Sequence, residues 1–464
     1  MSEACLDTGS FRDPSGRIYH LSDRIYRTVM PSARNHFEFV RSTGLIEKLV
    51  SQDLLIDETR VDTRILGSAA ATACYLLEHP KLPFVSYPYE WSFSALKAAA
   101  LLQLDIQIES LDHGVALSDA TAYNIQFQGP RPIFIDHLSF RPYEEGEYWS
   151  GHSQFCDQFL NPLLLQSLLG TPYHAWYRGS LEGITAEELN DVLPWYRKLS
   201  WNAFTNVTMQ ARLQSKTRSS NQHLERAVRT TLPRTAFKAM IESMRNGVAS
   251  LEPRSLRKTD WQDYADNKSY DSAENAAKKK FVGEFVTTVS PGMLWDVGCN
   301  TGEFAVVALE NGAGQVVGFD FDHRAVERAY IDARERGLNF LPLVIDAVNP
   351  SPAQGWAQVE RGGLKERNEA DAVLGLALIH HLAIGKNIPL YDAVTWLTGL
   401  APNGVIEFVQ KSDPMVRQLL RLRHDIFDDY NQQAFETYLA ESARIVKSEV
   451  ISTEGRTLYW YARD

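Results

Sequence analysis

The feature that most constrains this chain is the run Met293-Leu294-Trp295-Asp296-Val297-Gly298-Cys299-Asn300-Thr301-Gly302-Glu303-Phe304. An apolar stretch ends in an acid, turns on glycines and opens a helical pattern over 304–310 that Asn311-Gly312 stops. A strand feeding a helix through such a turn leaves backbone N–H groups unpaired at the helix start, where a ligand carboxylate or phosphate can be held. Glycines alone carry little weight, because many such connections need one residue with positive φ and one close backbone approach. Two further strand patterns, 315–320 and 340–346, end in Asp320 and Asp346. Successive strands thus present an Asp at the carboxyl edge, where open α/β sheets bind ligands.

A helical pattern over 324–336 ends at Gly337. A fourth strand pattern covers 370–377 and runs into Leu378-Ile379-His380-His381-Leu382, and a fifth, 404–409, follows the turn Pro402-Asn403-Gly404. Runs at 448–452 and 456–461 face each other across Glu454-Gly455 as a terminal hairpin. The expected class is α/β: a doubly wound, Rossmann-like sheet finished by an antiparallel hairpin, preceded by an α+β region.

In this order, 296–302, Asp320, Asp346 and 378–382 resemble the successive motifs of class I S-adenosylmethionine-dependent methyltransferases, over roughly residues 255–464. The turn is G-x-x-x-G, not the three-glycine dinucleotide fingerprint, and Asn300 stands where many methyltransferases have a glycine, which predicts a permissive backbone there. The resemblance implies a cofactor site. Gly298 and Gly302 admit the methionine part, Asp296 faces its ammonium, Asp320 accepts from the ribose hydroxyls, Phe321 packs on the adenine, and Asp346 with the Ala347 backbone meets the exocyclic amine. Tyr264 and Tyr270 are lid residues or packing residues of the lead-in segment, and His380 or His381 is a proton acceptor or a packed histidine. With no ligand, the acids are helix caps and the glycines turn residues. Glu407, Lys411 and Asp413 border an acceptor pocket or lie in a solvated loop.

The N-terminal half carries a second pattern. After a helical stretch over 93–104 come His113-Gly114, Asp119, Asn124, a short hairpin and Asp136 closing a strand pattern. This order resembles the catalytic loop of small-molecule kinases of the aminoglycoside-phosphotransferase and choline-kinase type. It implies Asp119 as the catalytic Asp, with Asn124 and Asp136 as oxygen ligands of Mg-ATP. Arg27 and Glu38 are the nearest counterparts of a strand lysine and its helix glutamate, and no glycine-rich loop precedes them. Without a ligand, Asp119 and Asn124 cap turns.

Elsewhere the pattern predicts a turn, Asp13-Pro14-Ser15-Gly16, between Phe11-Arg12 and a strand at 17–20, a partner strand at 23–29, helices at 37–42 and 45–51, and an apolar strand over 82–91 broken by proline. Residues 141–250 read as helical and aromatic-rich, with a capping box at Thr185. A linker over 251–259 leads to an amphipathic helix over 272–289. The expected organisation is a small α+β lobe, 1–86, a mostly helical lobe, 87–250, and the methyltransferase-like domain, 251–464.

A net charge of −11 argues against a nucleic-acid partner. The Asn/Asp-Pro-Pro-aromatic signature of DNA base amino-methylation is also absent, with Leu376-Ala377-Leu378-Ile379 in its place, so a small molecule or a protein side chain is the expected acceptor. Four scattered cysteines, no signal sequence and no membrane-spanning run point to the cytoplasm. Three functions remain open: a methyltransferase, a bifunctional enzyme that also uses Mg-ATP, and a non-catalytic cofactor-binding scaffold.

Overall fold

The computed structural model describes residues 4–198, 232–254, 272–421, 424–452 and 455–463. Tyr264 and Tyr270 lie outside them, as does most of the expected linker. The chain divides into two compact units: residues 1–256 with 353–362, and residues 257–352 with 363–464. Among the described residues no helix is long and apolar enough to cross a membrane.

In the first unit, strands β1 (Cys5–Leu6), β2 (Ile18–Leu21), β3 (Arg24–Val29), β4 (Thr59–Val61) and β5 (Tyr75–Pro80) form an antiparallel sheet in the order β1-β2-β3-β5-β4. Helices α1 (Arg34–Ser42) and α2 (Leu45–Ser51) follow β3. Val29, Phe37, Tyr75 and Leu77 form one core cluster. The expected strand over 82–91 does not form. Pro83 and Pro88 withhold ladder donors, the chain makes a short 3-10 turn at Pro88–Glu90, and the strand lies earlier, as β5. The pattern missed β5 because Glu78, His79 and Pro80 dilute its apolar run.

Helix α3 (Phe93–Asp112) extends well past residue 104. It is buried on nearly every side, so no polar face marks it, and Ser92 caps it by accepting from the Ala95 N–H. Four short strands follow: β6 (Val115–Leu117), β7 (Ile125–Gln128), β8 (Arg131–Phe134) and β9 (Phe140–Pro142), paired β6 with β9 and β7 with β8. Thr185 and Glu188 form the expected capping box.

The second unit is a doubly wound sheet: β10 (Met293–Val297), β11 (Gln315–Asp320), β12 (Phe340–Val344), β13 (Ala372–Gly375), β14 (Asn403–Val409), β15 (Arg444–Val450) and β16 (Arg456–Ala462). The order is β12-β11-β10-β13-β14-β16-β15, parallel through β14, with β16 antiparallel between β14 and β15. The order reverses beside β10, where open α/β sheets leave a crevice at the strand carboxyl ends. Helices α4 (Ser272–Val289), α5 (Glu303–Glu310) and α6 (His323–Arg336) accompany it, α6 stopping at Gly337 with φ 64°. Phe281 and Phe285 of α4 join the sheet core with Leu294, Val316, Phe340 and Leu374.

Candidate functional site

The second unit brings the predicted cofactor residues other than Tyr264 and Tyr270 to the carboxyl edge. Asp296, in register with Gly318 of β11 and Leu374 of β13, is buried, and its Oδ2 has no hydrogen-bond partner among the described residues. Burial, with Asp320 nearby, pushes its carboxyl up to about 7. The turn after β10 folds back on β11: Gly298 N–H donates to Phe319 O at 2.8 Å and Gly302 N–H to Cys299 O at 2.8 Å. Asn300 takes φ 49°, the left-handed conformation that the missing glycine required.

The two turn glycines do different things. A Cβ on Gly302 would sit 2.5 Å from the Phe340 ring, so this glycine is needed for packing. Among the described residues a Cβ on Gly298 would meet only the Leu378 side chain, at 3.7 Å, so its outer face is open to them.

Asp320 fastens this loop. Its Oδ2 accepts from Asn300 N–H at 2.9 Å and its Oδ1 from Asp322 N–H at 2.9 Å. Burial raises it to about 6 against those bonds. Asp322 caps α6 by accepting from the Arg324 and Ala325 N–H groups. Phe321 is 53% exposed at the end of β11. Asp346 and Ala347 are half-buried beyond β12, with Asp346 Oδ1 accepting from Val348 N–H at 2.9 Å and so closing a tight turn.

His380 and His381 sit where β13 passes into a π-helical turn, His381–Gly385. Their ring centroids are 4.1 Å apart. His380 is buried, and neither of its ring nitrogens has a hydrogen-bond partner among the described residues. Burial drives its pKa far down, and burial with Arg456 brings His381 to about 4. Both imidazoles are neutral at neutral pH. A conjugate acid that dissociates near 4 makes His381 a feeble proton acceptor.

Glu407, expected at a pocket border, belongs to a buried ion network. Its Oε1 meets Lys278 Nζ at 2.8 Å and Arg456 at 3.3 Å, its Oε2 accepts from Ala377 N–H at 2.9 Å, and Arg456 Nε donates to Asp413 at 2.7 Å. Lys411 instead pairs with Asp425 at 2.8 Å and is partly exposed. Lys278 and Arg456 escaped the sequence analysis. A signal existed for Lys278, which shares the buried face of α4 with Phe281 and Phe285.

In the first unit the structure brings Asp119, Asn124 and Asp136 together. Asn124 Nδ2 lies 3.2 Å from Asp119 and 3.5 Å from Asp136, and the Ser139 hydroxyl reaches Asp136 at 2.6 Å and Asp119 at 2.8 Å. Ser139 was not anticipated; it follows Asp136 on the same turn. Arg27 pairs with Asp136 at 2.5 Å and helps hold that carboxyl low, while burial and Asp136 raise Asp119 to about 6. Glu38 bonds Arg34 and Tyr75 and makes no ion pair with Arg27. Among the described residues no group of three His, Cys, Asp or Glu side chains is set to hold a metal.

No family model matches the chain. It is 44% identical over 456 residues to the nodulation protein NoeA of Rhizobium meliloti (strain 1021), covering 98% of the chain and 95% of that relative. The chain belongs to the NoeA family. Solved structures similar to this NoeA-family chain include the magnesium protoporphyrin IX methyltransferase ChlM of Synechocystis PCC 6803 with bound SAM. That likeness has 17% identity and a TM-score of 0.32, over 44% of the chain and 92% of the other. The N-methyltransferase NodS of Bradyrhizobium japonicum WM9 gives 14% identity and 0.30, over 42% and 98%. A kinase-like resemblance of the first unit is not shown.

Proposed function

We propose that this NoeA-family chain is an S-adenosylmethionine-dependent methyltransferase acting on a small molecule or a protein side chain, its N-terminal half binding or presenting the acceptor. The observation that carries the proposal is the uncompensated acid pair. Among the described residues Asp296 has a buried oxygen with no partner and Asp320 has only backbone donors, and both are pushed upward by burial. A buried carboxylate is stabilised by a nearby cation and by donors. S-adenosylmethionine brings an ammonium, a sulfonium and two ribose hydroxyls; a dinucleotide would bring a pyrophosphate, which these acids repel. The open outer face of Gly298 leaves room for such a ligand beside its backbone.

When bound, the cofactor supplies a methyl group on sulfonium sulfur. The chain's part is to hold the reactants in line and exclude water. Asp296 would face the ammonium and Asp320 the ribose, with Phe321, Asp346 and Ala347 about the adenine. His380 and His381 are proposed as neutral hydrogen-bonding residues on the acceptor side, since their suppressed basicity suits orientation better than proton removal. The relative's name extends the proposal to a role in nodulation.

Calorimetric titration with S-adenosylmethionine tests it: binding by the wild type that is lost in Asp320→Ala supports the site, and no binding by the wild type sinks it. Binding without turnover on any acceptor would favour a scaffold. Convergence of Asp119, Asn124 and Asp136 favours one second activity, Mg-ATP binding in the first unit. The Arg27 ion pair opposes it, because a dication would compete for Asp136. A Mg-ATP titration abolished by Asp136→Ala would establish that activity.

A further inference from the structure

Between β12 and β13 the chain runs through a segment that makes no helix longer than one 3-10 turn, at Trp356–Gln358. Leu364 N–H donates to Ser351 O at 2.9 Å and closes its base. Gln354 and Arg361 exchange backbone bonds at 2.9 and 3.0 Å and make its neck. The tip, 353–362, belongs to the first unit, although the strands on either side belong to the second.

The first unit grips this tip at several independent points. Arg12 donates from Nε and Nη2 to the two oxygens of Glu360, at 2.6 and 2.9 Å, and the Glu360 side chain is 4% exposed. Thr8 Oγ1 donates to Val359 O at 2.5 Å and Gln354 Nε2 to Arg178 O at 2.8 Å. The Arg361 guanidinium lies 4.3 Å from the centre of the Tyr123 ring, beside Asn124 in sequence. Within the tip, Ala357 and Gln358 both take positive φ, 53° and 59°, a conformation costly for residues with a Cβ and kept only where surroundings hold it.

The other end of the segment matters as much. The Asp346 turn leads directly through Pro350-Ser351-Pro352 into the base of the arm. Pro350 and Pro352 fix φ at two of the residues between that turn and the neck. We propose that residues 351–364 are a positioning arm: through the Arg12–Glu360 pair the N-terminal unit sets the Asp346–Ala347 end of the cofactor site, which rests on the proposed cofactor. Arg12 and Glu360 are then positioning residues for a ligand they do not touch.

The test uses the full chain with Arg12→Glu, Glu360→Arg and the exchanged double variant, with Glu360→Gln as a milder change that preserves shape. S-adenosylmethionine affinity is read by calorimetry and arm anchoring by the rate of limited proteolysis within 351–364. Each charge reversal is expected to weaken binding about ten-fold, in the range typical of coupled sites, and to speed cleavage. Glu360→Gln should do both to a smaller degree, and the exchange should restore both. Variants that are cleaved faster yet bind like the wild type overturn the inference alone. A folded exchange variant that regains protection but not affinity does the same. A wild-type chain that binds no S-adenosylmethionine overturns the proposed function and this inference with it.

Discussion

Lowering the pH should weaken cofactor binding steeply, because the two acids that would meet the cofactor hold their protons unusually tightly. Asp296 titrates near 7 and Asp320 near 6, both raised chiefly by burial. If both must be ionised to face the ammonium and the ribose, the competent fraction falls about ten-fold from pH 7 to 6 and about fifty-fold more from 6 to 5, by ordinary titration with those values. Binding at pH 6 should then release about 1.4 protons. That number is read by titrating in buffers of different ionisation enthalpy. Asp296→Asn should bind weakly and change less than about two-fold between pH 7 and 6, leaving Asp320 alone to titrate. An affinity flat from pH 7 to 5, or rising as pH falls, would refute the reasoning.

The same linkage fixes the stability of the free protein. An unfolded aspartate titrates near 3.9, about three units below folded Asp296, so the folded state binds more protons across that window. Stability of the ligand-free chain therefore falls as pH rises from about 4 to 7, by on the order of 4 kcal/mol for Asp296 alone. Ligand binding opposes this loss, so the thermal shift on adding S-adenosylmethionine should grow toward neutral pH.

Asp320→Ala should weaken S-adenosylmethionine by about 100-fold, the equivalent of two hydrogen bonds to a charged acceptor, measured by calorimetry. Gly298→Ala should fold with a modest loss from its φ of 84° yet bind poorly, because its Cβ enters open space at the cradle. Gly302→Ala should cost more in urea denaturation, since its Cβ falls 2.5 Å from the Phe340 ring. Arg456→Ala should destabilise by about 3–5 kcal/mol by taking the buried cation from Asp413 and leaving Glu407 to Lys278 alone, and truncating Asp413 as well should recover part of the loss.

The sheet of the second unit was legible because each strand pattern is apolar, short and punctuated by Gly, Asn or Pro. The pattern located β11 to the residue and the last strand, β16, to within one, whereas β15 begins four residues before the expected run at 448–452. The turn residues were legible for the same reason: positive φ at 298, 300 and 302 leaves a composition signal. What composition does not encode is partnership. Nothing near Lys278 in sequence points to Glu407, and nothing near Arg12 points to Glu360, because such pairs depend on how distant elements dock. The arm was illegible for a further reason: its tip holds alanine and glutamine in a conformation that sequence associates with glycine or asparagine.

The two acid clusters differ in how their charge is met, and that difference predicts different ligands. In the first unit Arg27 holds Asp136 in its charged form, and Asn124 and Ser139 knit Asp136 to Asp119. Asp136 is thus compensated from within, while Asp119 stays raised by burial and by Asp136, and a dication at Asp136 would compete with Arg27. In the second unit, among the described residues, no side-chain cation pairs with Asp296 or Asp320, and one Asp296 oxygen has no donor. Burying a carboxylate without a partner is costly, and here the proton itself makes up the deficit by staying on. Under the proposed function, the positive charge that would let these acids ionise comes from the ligand. A sulfonium nucleoside carrying an amino acid meets that requirement, and a ligand of the same shape without the ammonium should bind without releasing the Asp296 proton.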